Sequence, residues 1–262
     1  MDRGIKIGII GGSGLDDPKL LKDFKEISSE TKFGKPSSTL AVGTIKDADV
    51  VILARHGKKH TVYPTGVNYR ANIAALKQLG CTHIVATTAC GSLREEIKPG
   101  HIVFPDQFID FTRRRALTFH DERVIHTPMS EPFCKQLRDL LGATAKELSL
   151  AHHLGGVVIA IEGPRFSTKA ESHMFRSWNA DIINMTTVPE VVLAREAGMC
   201  YQSIAMSTDY DCWREGDEPV TWDMIVARME QNADNVRKLL ISAIPKIKFK
   251  TCSCMENAAD IL

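Results

Sequence analysis

Ile5-Lys6-Ile7-Gly8-Ile9-Ile10 runs without interruption into Gly11-Gly12-Ser13-Gly14-Leu15-Asp16-Asp17-Pro18. A short β-branched run that stops on glycines reads as a strand buried on both faces and ending in a tight loop. Residues 49–54, 83–88, 155–162 and 200–208 share that character, rich in Val, Ile and Ala. Helical patterns lie between them. Residues 72–79 stop at Gly80, and 131–148 carry Phe133, Leu137, Leu140, Leu141 and Leu148 at helical spacing. Pro189 suits the first turn of a helix reaching Ala197 before Gly198, and 222–244 end at Pro245. This alternation predicts an α/β fold with a largely parallel sheet and right-handed crossovers. No repeat, Gly/Ser-rich linker or block of like charge divides the chain, so a single domain spans 1–262. Residues 246–262 form a C-terminal tail with scope to be flexible.

The 262 residues are 44% hydrophobic and 25% charged, as in a soluble globule with a sizeable core. Lys plus Arg is 33 against 32 for Asp plus Glu, a net charge of +1. A nucleic-acid footprint needs a basic excess, so no nucleic-acid partner is expected. No apolar run approaches the ~20 residues of a membrane span, so no membrane partner is expected either. Met1-Asp2-Arg3-Gly4 leads into the first strand without a signal-peptide apolar region, which predicts a cytoplasmic protein. Seven cysteines, an odd count, argue against a fully paired secreted framework.

Several strand ends carry residues suited to an anion. The first glycine loop fails the dinucleotide fingerprint, because Asp17 stands where the third glycine belongs. Backbone N–H groups and the Ser13 hydroxyl remain, a set suited to one phosphate. Arg55-His56-Gly57 follows the next strand, and a guanidinium fork beside an imidazole matches phosphate oxygens. His56 and His60 are four apart, but Gly57 weakens a helix there and no Glu completes a zinc motif, so no metal is expected. Thr87-Thr88-Ala89-Cys90-Gly91-Ser92 ends a third strand, and ligands of open α/β sheets sit beyond such ends. Gly34-Lys35 is followed by Pro36, so no P-loop exists, and no nucleophile-elbow motif exists either. Arg113-Arg114-Arg115 reads as a basic surface turn.

Glu162-Gly163-Pro164-Arg165-Phe166-Ser167 marks a turn in which Phe166 is either an aromatic platform or core, with Glu171 in the helix that follows. Asn184-Met185-Thr186-Thr187-Val188-Pro189-Glu190 is another strand end before a helix. In Ser207-Thr208-Asp209-Tyr210-Asp211-Cys212-Trp213, two carboxylates one residue apart invite one to hold a proton while the other accepts. An Asp-rich cap is the plainer reading. A Mg²⁺ site is disfavoured because no third carboxylate has an obvious place.

Together the strings GIIGGSGLDDP, ARHG, TTACGSLREEI, VIAIEGPRFSTKAES, INMTTVPE and MSTDYDCW closely resemble the trimeric purine nucleoside phosphorylase family, from Ile5 to about Pro245. The resemblance implies a central mixed, largely parallel sheet flanked by helices. It also implies attack of inorganic phosphate, as co-substrate, on a nucleoside, with no cofactor and no metal. Ser13, Arg55, His56, Thr88, Ala89 and Thr186 would bind phosphate. Phe166 and Ser167 would contact the substrate, with Phe166 against the purine, and Met185 would lie under the ribose. Asp209 would be the catalytic residue, protonating or hydrogen-bonding purine N7, and Asp211 would accept from a 6-amino group. Relatives preferring 6-oxopurines usually carry Asn at the Asp209 position, so the implied reaction is 5′-methylthioadenosine plus phosphate giving adenine and 5-methylthioribose 1-phosphate. The implied assembly is a homotrimer, or a dimer of trimers, in which His126 of the partner subunit reaches the 5′ pocket. Trp222 stands where methylthio-specific members carry a small aliphatic residue. It leaves adenosine, inosine or methylthioinosine as alternative substrates. Cys252-Ser253-Cys254 resembles a C-x-C of thermostable members, either a strained disulfide or two free thiols. Cys134 and Cys200 are a second candidate pair.

Overall fold

The computed structural model describes residues 4–12, 18–216, 221–256 and 261. Ser13 lies outside them. The first half of the chain holds β1 (Lys6–Gly11), β2 (Lys22–Ile27), β3 (Leu40–Ile45), β4 (Ala48–Ala54), α1 (Tyr69–Gln78), β5 (His83–Ser92), β6 (Ile102–Phe104) and β7 (Gln107–Phe111). The second half holds α2 (Lys135–Glu147), β8 (His152–Leu154), β9 (Val157–Ile161), α3 (Lys169–Ser177), β10 (Ile182–Asn184), α4 (Thr187–Glu196), β11 (Cys200–Asp209) and α5 (Trp222–Ala243).

β1 lies parallel to β4 on one side and to β5 on the other. β5 then pairs in parallel with β11, from Cys200↔His83 to Asp209↔Gly91. β10 joins the far end of β5 antiparallel at Gly91 and Ser92, and carries β9 and β7 beyond it. The sheet is thus mixed and largely parallel, as expected. Both faces of its centre are covered, which explains the unbroken apolar runs. Along β1, Ile7 and Ile9 face the layer of α2 and α5, while Ile10 faces the opposite layer with α1 and α4.

The β2–β3 pair, which extends the sheet beyond β4, is not revealed by the apolar runs. β2 is Lys-Asp-Phe-Lys-Glu-Ile, exposed throughout. An edge strand needs charge rather than a buried face, and Lys22 and Lys25 supply it.

Caps set the helix ends. Asn68 accepts from the Ala71 N–H at the start of α1, and Thr221 from the Met224 N–H at the start of α5. Thr168 and Glu171 form a capping box on α3. Thr168→Ala is expected to cost about 1 kcal/mol, read as a shifted urea midpoint, whereas Lys169→Ala leaves the midpoint in place. Within the C-terminal stretch, the Ile247, Cys254 and Ile261 side chains are buried against the body. Among the described residues, no helix is long and apolar enough to cross a membrane.

Candidate active site

The carboxyl ends of β4, β5, β10 and β11 open into one cavity of about 350 Å³. Ligands of parallel sheets collect at such ends, where strand termini leave side chains and backbone N–H groups converging. Its floor is an ion pair. Arg55 directly follows β4 and is almost fully buried; its Nε and Nη2 donate to the two Glu190 oxygens, each at 2.8 Å. Nη1 donates to the Thr87 carbonyl at 2.8 Å. Burial opposes the Arg55 charge, but the Glu190 carboxylate outweighs it and holds the guanidinium protonated. The sequence reading sets the guanidinium fork against phosphate oxygens; in the structure the fork faces Glu190, and the remaining N–H bonds of Nη1 and Nη2 are those left for a ligand. Gly12 is required beside it, because a Cβ there would lie 2.7 Å from Arg55 Nη1.

His56 lines the same end. Its Nδ1 lies 2.7 Å from the Val62 carbonyl. A carbonyl only accepts, so Nδ1 carries the proton and neutral His56 presents a bare Nε2. Burial first, and then the Arg55 charge, lower its pKa to about 4, so the ring is neutral near pH 7. Thr88 and Thr186, both buried, bring their hydroxyls within 3.2 Å of each other. Ala89 follows Thr88 on the cavity wall.

The opposite end holds the two carboxylates. Asp209 accepts from the Thr208 hydroxyl and from the Asp211 N–H, each at 2.7 Å. Burial raises its pKa to about 6, against those hydrogen bonds, and the Asp211 charge raises it further. Burial also raises Asp211. Both lie against Gly91, where a Cβ would come within 3.0 Å of Asp209 Oδ1 and 3.3 Å of Asp211 Cβ. Phe166, Ser167 and Met185 line the wall beside them, so Phe166 is a platform rather than core. At the mouth, the Trp222 and His60 rings meet with centroids 5.4 Å apart and planes tilted by 41°, and Ile225 adds an apolar surface. His126 is exposed and outside this cavity.

The cavity therefore has one end lined by Arg55, His56 and two threonine hydroxyls and another lined by two buried carboxyl groups, joined by an apolar waist. The family model described as "Phosphorylase superfamily" matches residues 6–245. The chain belongs to the phosphorylase superfamily. Among similar members, the S-methyl-5′-thioadenosine phosphorylase of Xenopus tropicalis is 58% identical over 93% of this chain and 89% of its own. That of Danio rerio is 57% identical over the same shares, and that of Drosophila melanogaster 51% over 93% and 86%. Methylthioadenosine phosphorylase from Schistosoma mansoni, solved with adenine, superposes with a TM-score of 0.90 at 45% identity, over 93% of this chain and 92% of that one.

In this phosphorylase fold, two supporting residues escape sequence reading. Glu190 is quoted in its motif with no role, and only folding brings it to Arg55. Arg115 belongs to a triplet that reads as a basic surface turn, yet its side chain is buried. It donates to the Met185, Val188 and Glu162 carbonyls, each at 2.6 Å, and to the Glu162 carboxylate at 3.1 Å. One guanidinium thus ties the Phe166 loop to the Met185–Thr186 loop. Arg113 and Arg114 instead present backbone N–H groups to Glu162. No local pattern distinguishes the third arginine from the first two.

Proposed function

We propose that this chain cleaves 5′-methylthioadenosine with phosphate, releasing adenine and 5-methylthioribose 1-phosphate. The observation that carries the reading is the pairing, across one cavity, of a buried carboxyl of raised pKa at Asp209 with an anion cradle at Arg55, His56, Thr88 and Thr186. The relatives named above supply the substrate class.

Arg55, the Thr88 and Thr186 hydroxyls, and Ser13 donate to phosphate oxygens, with the Ala89 backbone closing the cradle. His56 Nε2 accepts from the hydroxyl of monohydrogen phosphate, which turns its unprotonated oxygens toward the sugar. One of these oxygens bonds to the anomeric carbon as the bond to purine N9 breaks, and the electron pair leaves on the base. Protonated Asp209 gives its proton to N7, so adenine departs neutral. Asp211 accepts from the 6-amino group, Phe166 packs on the purine and Met185 lies under the ribose. The positioned phosphate offsets the positive charge developing on the sugar. No cofactor or metal takes part.

The methylthio group lies among Trp222, His60 and Ile225 at the mouth. There His126 of the partner subunit completes the pocket in a cytoplasmic homotrimer. The Trp222 ring, set against His60 at the mouth, also favours a second reading, in which the 5′ group is hydroxyl and adenosine is the better substrate. Adenine release from methylthioadenosine and adenosine, with and without phosphate, and hypoxanthine release from inosine, decide between them. Phosphate-dependent release with at least tenfold preference for methylthioadenosine is expected. Release without phosphate overturns the mechanism, and a preference for adenosine or inosine overturns the substrate. Thr186→Val is expected to raise the KM for phosphate about 10–100-fold, as for one hydrogen bond to a charged group, with little change for the nucleoside. The converse result removes Thr186 from the cradle.

A further inference from the structure

Cys134, Cys200, Cys252 and Cys254 meet at the end of the sheet opposite the cavity. Cys200 opens β11 and Asp209 closes it, so the two places lie about 30 Å apart at ~3.3 Å per strand residue. Cys134 is the N-cap residue of α2, and Cys252 and Cys254 flank Ser253 in the C-terminal stretch. All four sulfurs lie within 4.8 Å of one another. Cys134 Sγ is 3.7 Å from Cys252 Sγ. A disulfide needs about 2.05 Å, and all four are free thiols. Four sulfurs bound to one ion at ~2.3 Å stand about 3.8 Å apart at the corners of a tetrahedron. Either expected disulfide would use two of these sulfurs, whereas the fold converges all four.

We propose that Cys134, Cys200, Cys252 and Cys254 form a tetrahedral thiolate site for one zinc ion, which ties the C-terminal stretch to α2 and β11. An all-sulfur donor set selects a soft or borderline ion and rejects Mg²⁺ and Ca²⁺, which take oxygen. Four protein ligands leave no open position, so the site is structural rather than catalytic. The N-terminus of α2 favours negative charge on Cys134. Cys252 is half-buried while the other three are buried, which gives the ion a route in. On binding, the thiol protons pass to solvent. His83, opposite Cys200 in the β5–β11 register, keeps a buried Nε2 with no hydrogen-bond partner.

The test is elemental analysis of protein purified without a polyhistidine tag or chelator. One zinc per protomer is expected, and cobalt(II) replacing it shows the sulfur-to-cobalt charge-transfer bands of a four-thiolate site. Cys252→Ser is expected to lower zinc content at least tenfold with phosphorolysis unchanged, while Cys81→Ala retains the zinc. Cobalt spectra of the unaltered chain decide the matter even where a variant fails to fold. Substoichiometric zinc, or cobalt spectra without thiolate bands, overturns the proposal. So do fewer than seven titratable thiols in denaturant without reductant, which would mean disulfides.

Discussion

Asp209→Asn is expected to lower kcat/KM for 5′-methylthioadenosine by about 10²–10⁴-fold, the range that general acid catalysis supplies. The purine leaves well only when N7 takes up a proton. An amide donates a hydrogen bond there but has no acid proton to transfer. Burial places the Asp209 pKa at about 6, so its acid form is populated close to neutrality. The sign follows from the raised value. In the unaltered enzyme log kcat/KM declines as pH rises through about 6, because the free enzyme loses that proton; in Asp209→Asn this limb disappears. Inosine suffers less than methylthioadenosine in the variant, since the asparagine amide donates to a 6-oxo group. A full pH profile on both substrates checks this. An unaltered limb with unaltered base preference removes Asp209 from the acid role.

Glu190→Ala is expected to destabilise the fold by about 3–5 kcal/mol, because it leaves the buried Arg55 guanidinium without its counter-charge. It also removes the acceptor of the Tyr201 hydroxyl, 2.7 Å away. For a chain of this size that corresponds to a Tm lower by roughly 6–20 °C. Removing both charges in Arg55→Met/Glu190→Ala should destabilise less than Glu190→Ala alone, since no uncompensated charge remains buried. Calorimetry of the two variants checks the order. Glu190→Gln keeps the shape and one acceptor, so it retains more stability while raising the KM for phosphate. If Glu190→Ala melts with the unaltered chain, the ion pair is not the floor of the site.

Much of the site was legible because its residues sit in short segments at strand ends. Arg55-His56, Thr88-Ala89 and Asp209 to Asp211 each follow a run that already reads as a strand, and strand ends of parallel sheets converge. The supporting residues were not legible. Glu190 lies 135 positions from Arg55, and no local pattern encodes that pairing. Arg115 differs from Arg113 and Arg114 only in what folding packs around it. The edge strand β2 escaped because its residues answer to solvent and to the need for charge at an edge.

The amino-acid sequence by itself determined the α/β class, the buried strands and the residue types whose chemistry suits phosphate and purine. These are local properties: periodicity, side-chain chemistry and loop-forming glycines act over a few residues. Only the tertiary structure decided that the Arg55 fork faces Glu190, that Arg115 is an internal tie, and that four cysteines share one point. Each depends on contacts between segments far apart in the chain, and chain topology and packing, rather than local propensity, bring those segments together.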